Sequence, residues 1–151
     1  MADPDVSAPS LADLEFPVVL YSSRCIFALR RPDAPDLHLK PSPKDGDFLL
    51  ADHSGRRYAV TSWKPGAPPS GVFWQFAALM GKHFFEPELV RRDVLSPRAL
   101  AAELGEVAIR NELLGDAWGF STTNFLSAIE RVGDYDAAFE IAFSVSLSGP
   151  G

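Results

Sequence analysis

Cysteine is nearly absent from this chain: Cys25 is the only one in 151 residues. A lone thiol excludes an internal disulfide framework and fits a reducing compartment, so a cytoplasmic location is expected. Long apolar runs are missing too. None approaches the ~20 residues needed to span a bilayer, and no membrane partner is expected. The opening residues, MADPDVSAPSLADLE, are acidic and lack a basic stretch leading into an apolar one, so no signal peptide is expected. Glycine-rich phosphate and dinucleotide loops are absent, since Gly81-Lys82-His83 has no upstream glycine at P-loop spacing. Basic–aromatic interleaving is confined to Arg56-Arg57-Tyr58, and the net charge is −6. Direct nucleic-acid binding is therefore not expected.

What is present suits one folded unit. Hydrophobic residues make up 46% of the chain and charged residues 23%, close to the balance of ordinary globular domains. Residues 1–14, rich in Asp, Ser, Pro and Ala, read as a flexible acidic tail, and 15–148 read as a single domain. Charge is unevenly spread. Residues 24–64 carry eight basic against five acidic groups, whereas residues 103–140 carry eight acids against Arg110 and Arg131. The acidic second half is either a solvated surface or one that meets a basic partner.

The pattern of elements predicts an α+β fold. Phe16–Arg31 reads as one bent strand or two short ones, interrupted at Ser22, Ser23 and Arg24. Prolines 32, 35, 41 and 43 leave room only for a short extended piece at Asp36–Lys40. Asp47–Ala51 and Arg57–Trp63 form a hairpin through Asp52-His53-Ser54-Gly55, with a left-handed glycine closing the turn. Ser70 caps a helix over 70–85 that is apolar on nearly every side. Val72, Phe76, Leu79, Met80 and His83 share one face, and such a helix is expected to be surrounded by protein. Ser96-Pro97 announces a second helix, running to Leu114 and stopping at Gly115, with Leu100, Leu104, Val107, Asn111 and Leu114 inward. A third starts at Ser121 or Thr122, buries Phe125, Ile129 and Val132, and ends at Gly133. Ala138–Leu147 alternates strictly, with Phe139, Ile141, Phe143, Val145 and Leu147 on one face, and reads as a final strand. The expectation is a mainly antiparallel sheet of four to five strands, with about three helices on one face and a single core.

No catalytic constellation, cofactor motif or metal site emerges. His83 and Glu86 lie three apart but lack a third ligand. Adjacent side chains in Asp52-His53-Ser54 cannot form a nucleophilic triad with one another, and turn chemistry accounts for them. Cys25, beside Ile26 and Phe27, reads as a small buried hydrophobe. Asp134-Tyr135-Asp136 lacks the register of a calcium loop. Two features point instead to binding. Ala102, Ile109 and Leu113 form a second apolar strip on the 97–114 helix, edged by Glu106 and Glu112. Gly115–Phe120 also carries Trp118, either as a core plug or as an exposed anchor.

The expected function is therefore a non-catalytic acidic module that binds a basic protein through Glu106, Ile109, Glu112, Leu113, Asp116 and Trp118. In type, such a small acidic domain resembles the immunity proteins that neutralise bacterial toxins, many of which present acids to a basic nuclease. The resemblance carries no residue across. Two alternatives stand beside it: a small enzyme or ligand-binding domain using His53, His83, Cys25 and Tyr58, and a homo-oligomeric assembly component of a phage or secretion particle.

Overall fold

The computed structural model describes residues 9–32, 37–38, 46–69, 71–114, 118 and 121–146. Strands β1 (Val18–Tyr21) and β2 (Ile26–Leu29) pair as a hairpin. The polar interruption becomes its turn: Ser22 N–H donates to the Cys25 carbonyl at 3.0 Å, and Ser22 Oγ accepts from Arg24 N–H at 3.1 Å. The apolar run is thus two short strands. A second hairpin joins β3 (Leu49–Ala51) to β4 (Arg56–Pro65), as its turn chemistry predicts. Gly55 takes φ +82° and donates to the Asp52 carbonyl at 3.0 Å. Asp52 is wholly buried because its carboxylate is so fully bonded. One oxygen accepts from Ser54 N–H, Ser54 Oγ and Arg56 N–H, and the other takes the Arg56 guanidinium at 2.9 Å.

A fifth strand, β5 (Phe85–Val94), completes an antiparallel sheet of order β2-β1-β3-β4-β5. The sequence reading places no strand there, and Glu86, Pro87, Glu88, Arg91, Arg92 and Asp93 do not suit a central strand. Position resolves the conflict. Among the described strands β5 pairs with β4 alone, its Phe85 N–H donating besides to His38 O at 2.9 Å, and an edge strand tolerates proline and gains from charges that discourage further pairing. Only Pro87 and Leu89 are buried along it, at the spacing of one strand face.

Helices α2 (Pro97–Arg110), α3 (Thr122–Glu130) and α4 (Tyr135–Ser144) pack on one side of the sheet. Their starts are legible. Ser96 Oγ accepts from Ala99 N–H, Ser121 Oγ from Asn124 N–H, and Asp134 Oδ1 from Ala137 N–H. The core beneath them joins Val19, Tyr21, Ile26, Ala28 and Ala51 to Leu100, Leu104, Phe125, Phe139 and Ile141. A second cluster lies on the opposite face: Leu14, Val18, Leu20, Cys25, Leu29, Leu37, Phe48, Leu50, Tyr58 and Leu89. The sheet therefore has a core on each side, where one was expected. β1 serves both, with Val19 and Tyr21 facing the helices and Val18 and Leu20 facing away.

Three expectations are corrected. Ala138–Leu147 is not a strand; residues 135–144 are helix α4. Besides Phe139, its buried residues Ala138, Ile141, Ala142 and the cap Val145 follow the helical i, i+3, i+4, i+7 period, and this pattern overrode the coincident alternation. The helix expected over 70–85 is only α1 (Val72–Leu79), and it buries no residue. Gly81, at φ +96°, ends it before His83, which is an exposed residue of the following connector. Part of the expected tail is ordered: Leu11–Asp13 form a 3-10 turn, and Leu14 joins the second cluster. The piece expected at Asp36–Lys40 lies outside the described residues apart from Leu37 and His38, as do Ser70, Gly115 and Leu147.

Candidate interaction surfaces

Helix α2 ends one turn earlier than glycine spacing suggests, and the way it ends builds a cleft. Glu112 takes φ +56°, the only non-glycine residue at positive φ among those described. Its N–H donates to the Ile109 carbonyl at 3.3 Å, and Leu113 N–H donates to the Ala108 carbonyl at 2.8 Å. This is a Schellman cap with glutamate in the left-handed position normally held by glycine. Helix α1 ends by the same motif with glycine in place: Gly81 N–H donates to Ala78 O and Lys82 N–H to Ala77 O. Asn111 secures the α2 terminus further, its Nδ2 donating to the carbonyls of Val107 and Ser23 at 2.8 Å each. The chain turned at Glu112 leaves a cleft of about 420 Å³ lined by Ala108, Ile109, Glu112, Leu114 and Thr122.

Of the residues expected to bind a partner, Ile109 and Glu112 meet in this cleft. Glu106 is exposed on α2 outside its lining, and Leu113 is half-buried against the helix-side core. Trp118 belongs elsewhere. It stacks edge-on to Phe125 at 5.1 Å, and its Nε1–H donates to Ser144 Oγ at 2.8 Å. The indole plugs the gap between α3 and α4 and lines a second hollow of about 320 Å³ with Arg131, Ala137 and Glu140. Asp116 lies outside the described residues. The expected single face therefore resolves into two sites.

A surface missed from the sequence lies where the β4–β5 ribbon ends. Beyond Val60, β4 has only β5 beside it among the described residues, and the two run on as a ribbon to the pair Pro65–Phe85. Gly66 N–H extends the pairing by donating to Phe84 O at 3.0 Å. Helix α1 sits in the connection at the ribbon's end. Trp74 turns inward, edge-on to the buried Phe84 at 5.9 Å. Val72, Phe73, Phe76, Leu79 and Met80 turn outward, each between 60% and 87% exposed. At 100° per residue these five fill a stripe about 120° wide, the width of a helix face built for burial. The signal was in the sequence as this stripe; what it could not convey is that the other described residues leave it bare.

The groups that an enzyme might use do not converge. His53 Nε2 lies 2.7 Å from Asp136 Oδ1, beside Phe139, away from Asp52. Cys25 is buried with its Sγ 3.4 Å from Ser22 Oγ. Tyr58 is buried in the second cluster, where burial raises its hydroxyl pKa. Neither of the two clefts is lined by any of these residues or by His83. Among the described residues, no three His, Cys, Asp or Glu side chains lie together as a metal site. A polar network joins α2 to the sheet. Arg57 spans Asp93, at 2.7 and 2.8 Å, and both Glu103 oxygens at 2.9 Å, while the Tyr21 hydroxyl donates to Glu103. Burial, then the Glu103 bond and charge, raise the Tyr21 pKa above the usual phenol range. Hydrogen bonding to Arg57 holds Asp93 below the usual carboxylate range.

No protein-family model, curated protein or solved structure matches this chain. No helix among the described residues is long and apolar enough to cross a membrane.

Proposed function

We propose that this protein is a non-catalytic protein-binding module whose main contact element is the arm formed by β4, α1 and β5. The observation that carries this reading is the bare outer face of α1. Its five large apolar side chains together expose roughly 600 Å², the upper end of the largest patch on a typical monomer. Leaving such a face in water is unfavourable, and covering it with a complementary apolar surface removes that cost.

A second reading rests on a different observation. Glu106 and Glu112 stand exposed near Ile109, so a basic partner, such as the toxin of an immunity pair, would meet α2 and not the arm. One experiment separates the two: the immobilised chain is compared with the arm variant Phe76→Asp/Leu79→Asp and the acid variant Glu106→Lys/Glu112→Lys, using lysate of the source cells. A protein retained by the wild type and the acid variant but lost from the arm variant supports the arm. One lost only from the acid variant, and released from the wild type by moderate salt, supports the basic partner. Equal retention by all three removes both.

A further inference from the structure

The geometry points to a small-ligand site at the end of α2: we propose that the cleft between α2 and α3 binds an alkylammonium group, a short apolar stem ending in a primary amine. The cleft shares no lining residue with the arm, so the inference stands or falls independently of the arm's role as a contact element.

The make-up of the cleft sets the class of ligand. Its volume, about 420 Å³, lies toward the lower end of the range for small-molecule sites, about 300–1,000 Å³. Ala108, Ile109 and Leu114 give it apolar walls, and its polar side chains are Glu112 and Thr122. Apolar walls accept methylenes and satisfy no polar group, whereas a carboxylate accepts hydrogen bonds and donates none. A ligand that matches both has an apolar body with a charged donor at one end.

Charge fixes the sign of that end. Ala108 and Ile109 stand in the last turn of α2, where the aligned peptide dipoles present partial negative charge. Thr122 opens α3, whose positive end is partly offset because Ser121 Oγ accepts from Asn124 N–H. The full charge of Glu112 outweighs what is left. Among the described residues its carboxylate has no hydrogen bond or ion pair, although Arg110 lies two positions before it. The lip of the cleft therefore carries a negative charge that the fold does not neutralise.

The backbone of Glu112 adds an independent observation. At φ +56° it is strained, and α1 shows that this same chain uses Gly81 at the equivalent cap. Strain of this kind persists where a side chain has a use that glycine cannot serve, and here the side chain delivers a carboxylate to the cleft.

The test is a titration of the isotope-labelled full chain with n-butylammonium chloride to about 50 mM, replacing sodium chloride ion for ion and read by two-dimensional amide NMR. Saturating shifts with a Kd of about 1–10 mM are expected, confined to residues 108–114 and the start of α3. Shorter alkylammonium ions are expected to bind about 2–4-fold more weakly for each methylene removed. Glu112→Gln keeps the shape of the lip and is expected to bind about 3–5-fold more weakly at low ionic strength, with the deficit shrinking as salt rises. Glu112→Gly is expected to lose binding to at least the same extent while melting about 2–4 °C higher, through relief of left-handed strain. Lysine blocked at both backbone ends distinguishes the source of the amine. Binding at least as tight as that of butylammonium assigns the cleft to a lysine side chain of a protein, and binding of the free amine alone assigns it to a small-molecule amine.

The absence of any saturating shift by about 50 mM overturns the proposal. Shifts reproduced by sodium butyrate overturn it too, since they would make the start of α3 an anion site. So do shifts whose midpoint is unchanged by Glu112→Gln, which would leave an apolar crevice with no preference for a cation.

Discussion

Gly46 and Gly55 offer a paired test of what holds the turn of the second hairpin in place. Both have positive φ, +85° and +82°, so alanine is strained equally at each. Their surroundings differ. Among the described residues, a Cβ at Gly46 meets only Ser23 Oγ, at 3.5 Å. One at Gly55 falls 2.3 Å from the Leu95 carbonyl oxygen and 2.4 Å from the Tyr135 hydroxyl. At that junction Leu95 N–H donates to Gly55 O at 2.9 Å and Tyr135 O–H donates to Leu95 O at 2.7 Å, tying the turn to the start of α2 and of α4. Gly46→Ala loses about 1–2 kcal/mol to left-handed strain and regains about 0.5 through a less flexible unfolded chain, a net loss of about 1 kcal/mol. Gly55→Ala adds a forced retreat of backbone. With two hydrogen bonds weakened at about 1 kcal/mol each, plus local repacking, its total reaches about 3–4 kcal/mol. Thermal unfolding followed by circular dichroism reads these as losses of about 2–4 °C and 8–12 °C for a domain of this size. Melting temperatures within about 2 °C of each other would refute the claim that this junction is sterically closed.

Removing the Arg57 guanidinium leaves Glu103, Asp93 and the Tyr21 hydroxyl without their shared partner. Arg57→Ala is expected to cost about 2 kcal/mol in urea unfolding, less than a fully buried pair because both acids reach solvent; a loss under about 0.5 kcal/mol would make the network ornamental. The pKa of Tyr21 is raised on folding, so above pH 10 the unfolded chain releases a proton that the folded chain retains. Stability is therefore expected to be unaffected by this group below pH 10 and to fall above it, and Tyr21→Phe is expected to flatten that alkaline limb. Equal alkaline slopes for the two proteins would refute it. Trp118→Phe deletes the bond to Ser144 Oγ but keeps the ring against Phe125, so a loss of about 1 kcal/mol is expected. A loss near zero would place the indole outside the core.

The elements that were legible in the sequence are those whose evidence is local. Asp52 and Gly55 define their turn through hydrogen bonds and φ values within four residues of each other. Ser96, Ser121 and the Pro97 that follows the first cap mark helix starts by satisfying amides one turn away. Helix α4 was misread because Phe139-Ile141-Phe143-Val145 satisfies the strand period while Ala138-Ile141-Ala142-Val145 satisfies the helical one. The capping Asp134 and the alanines that let α4 approach α2 and β2 decided between them. β5 was hidden for the opposite reason. Its charges and Pro87 contradict a central strand and fit an edge, and edge position is a property of the sheet and not of the segment. The end of α2 escaped because Glu112 occupies a position where only glycine would have announced the stop.

Helix α1 is the instructive case, because the inference drawn from its sequence divides into two. A two-turn helix with Val72, Phe73, Phe76, Leu79 and Met80 on one face implies burial, since hydration of that face is unfavourable wherever the helix stands. That step depends only on side-chain chemistry. Burial within the same domain is a separate step, and it fails here: the inner side of α1 is satisfied by Trp74 on Phe84, and the outer stripe has no cover among the described residues. The amphipathic signal reports that a face is to be covered, without reporting by which chain. In the Ile109–Glu112 cleft the sequence misled in the other direction, merging with Trp118 a surface that folding separates by turning the chain at Glu112.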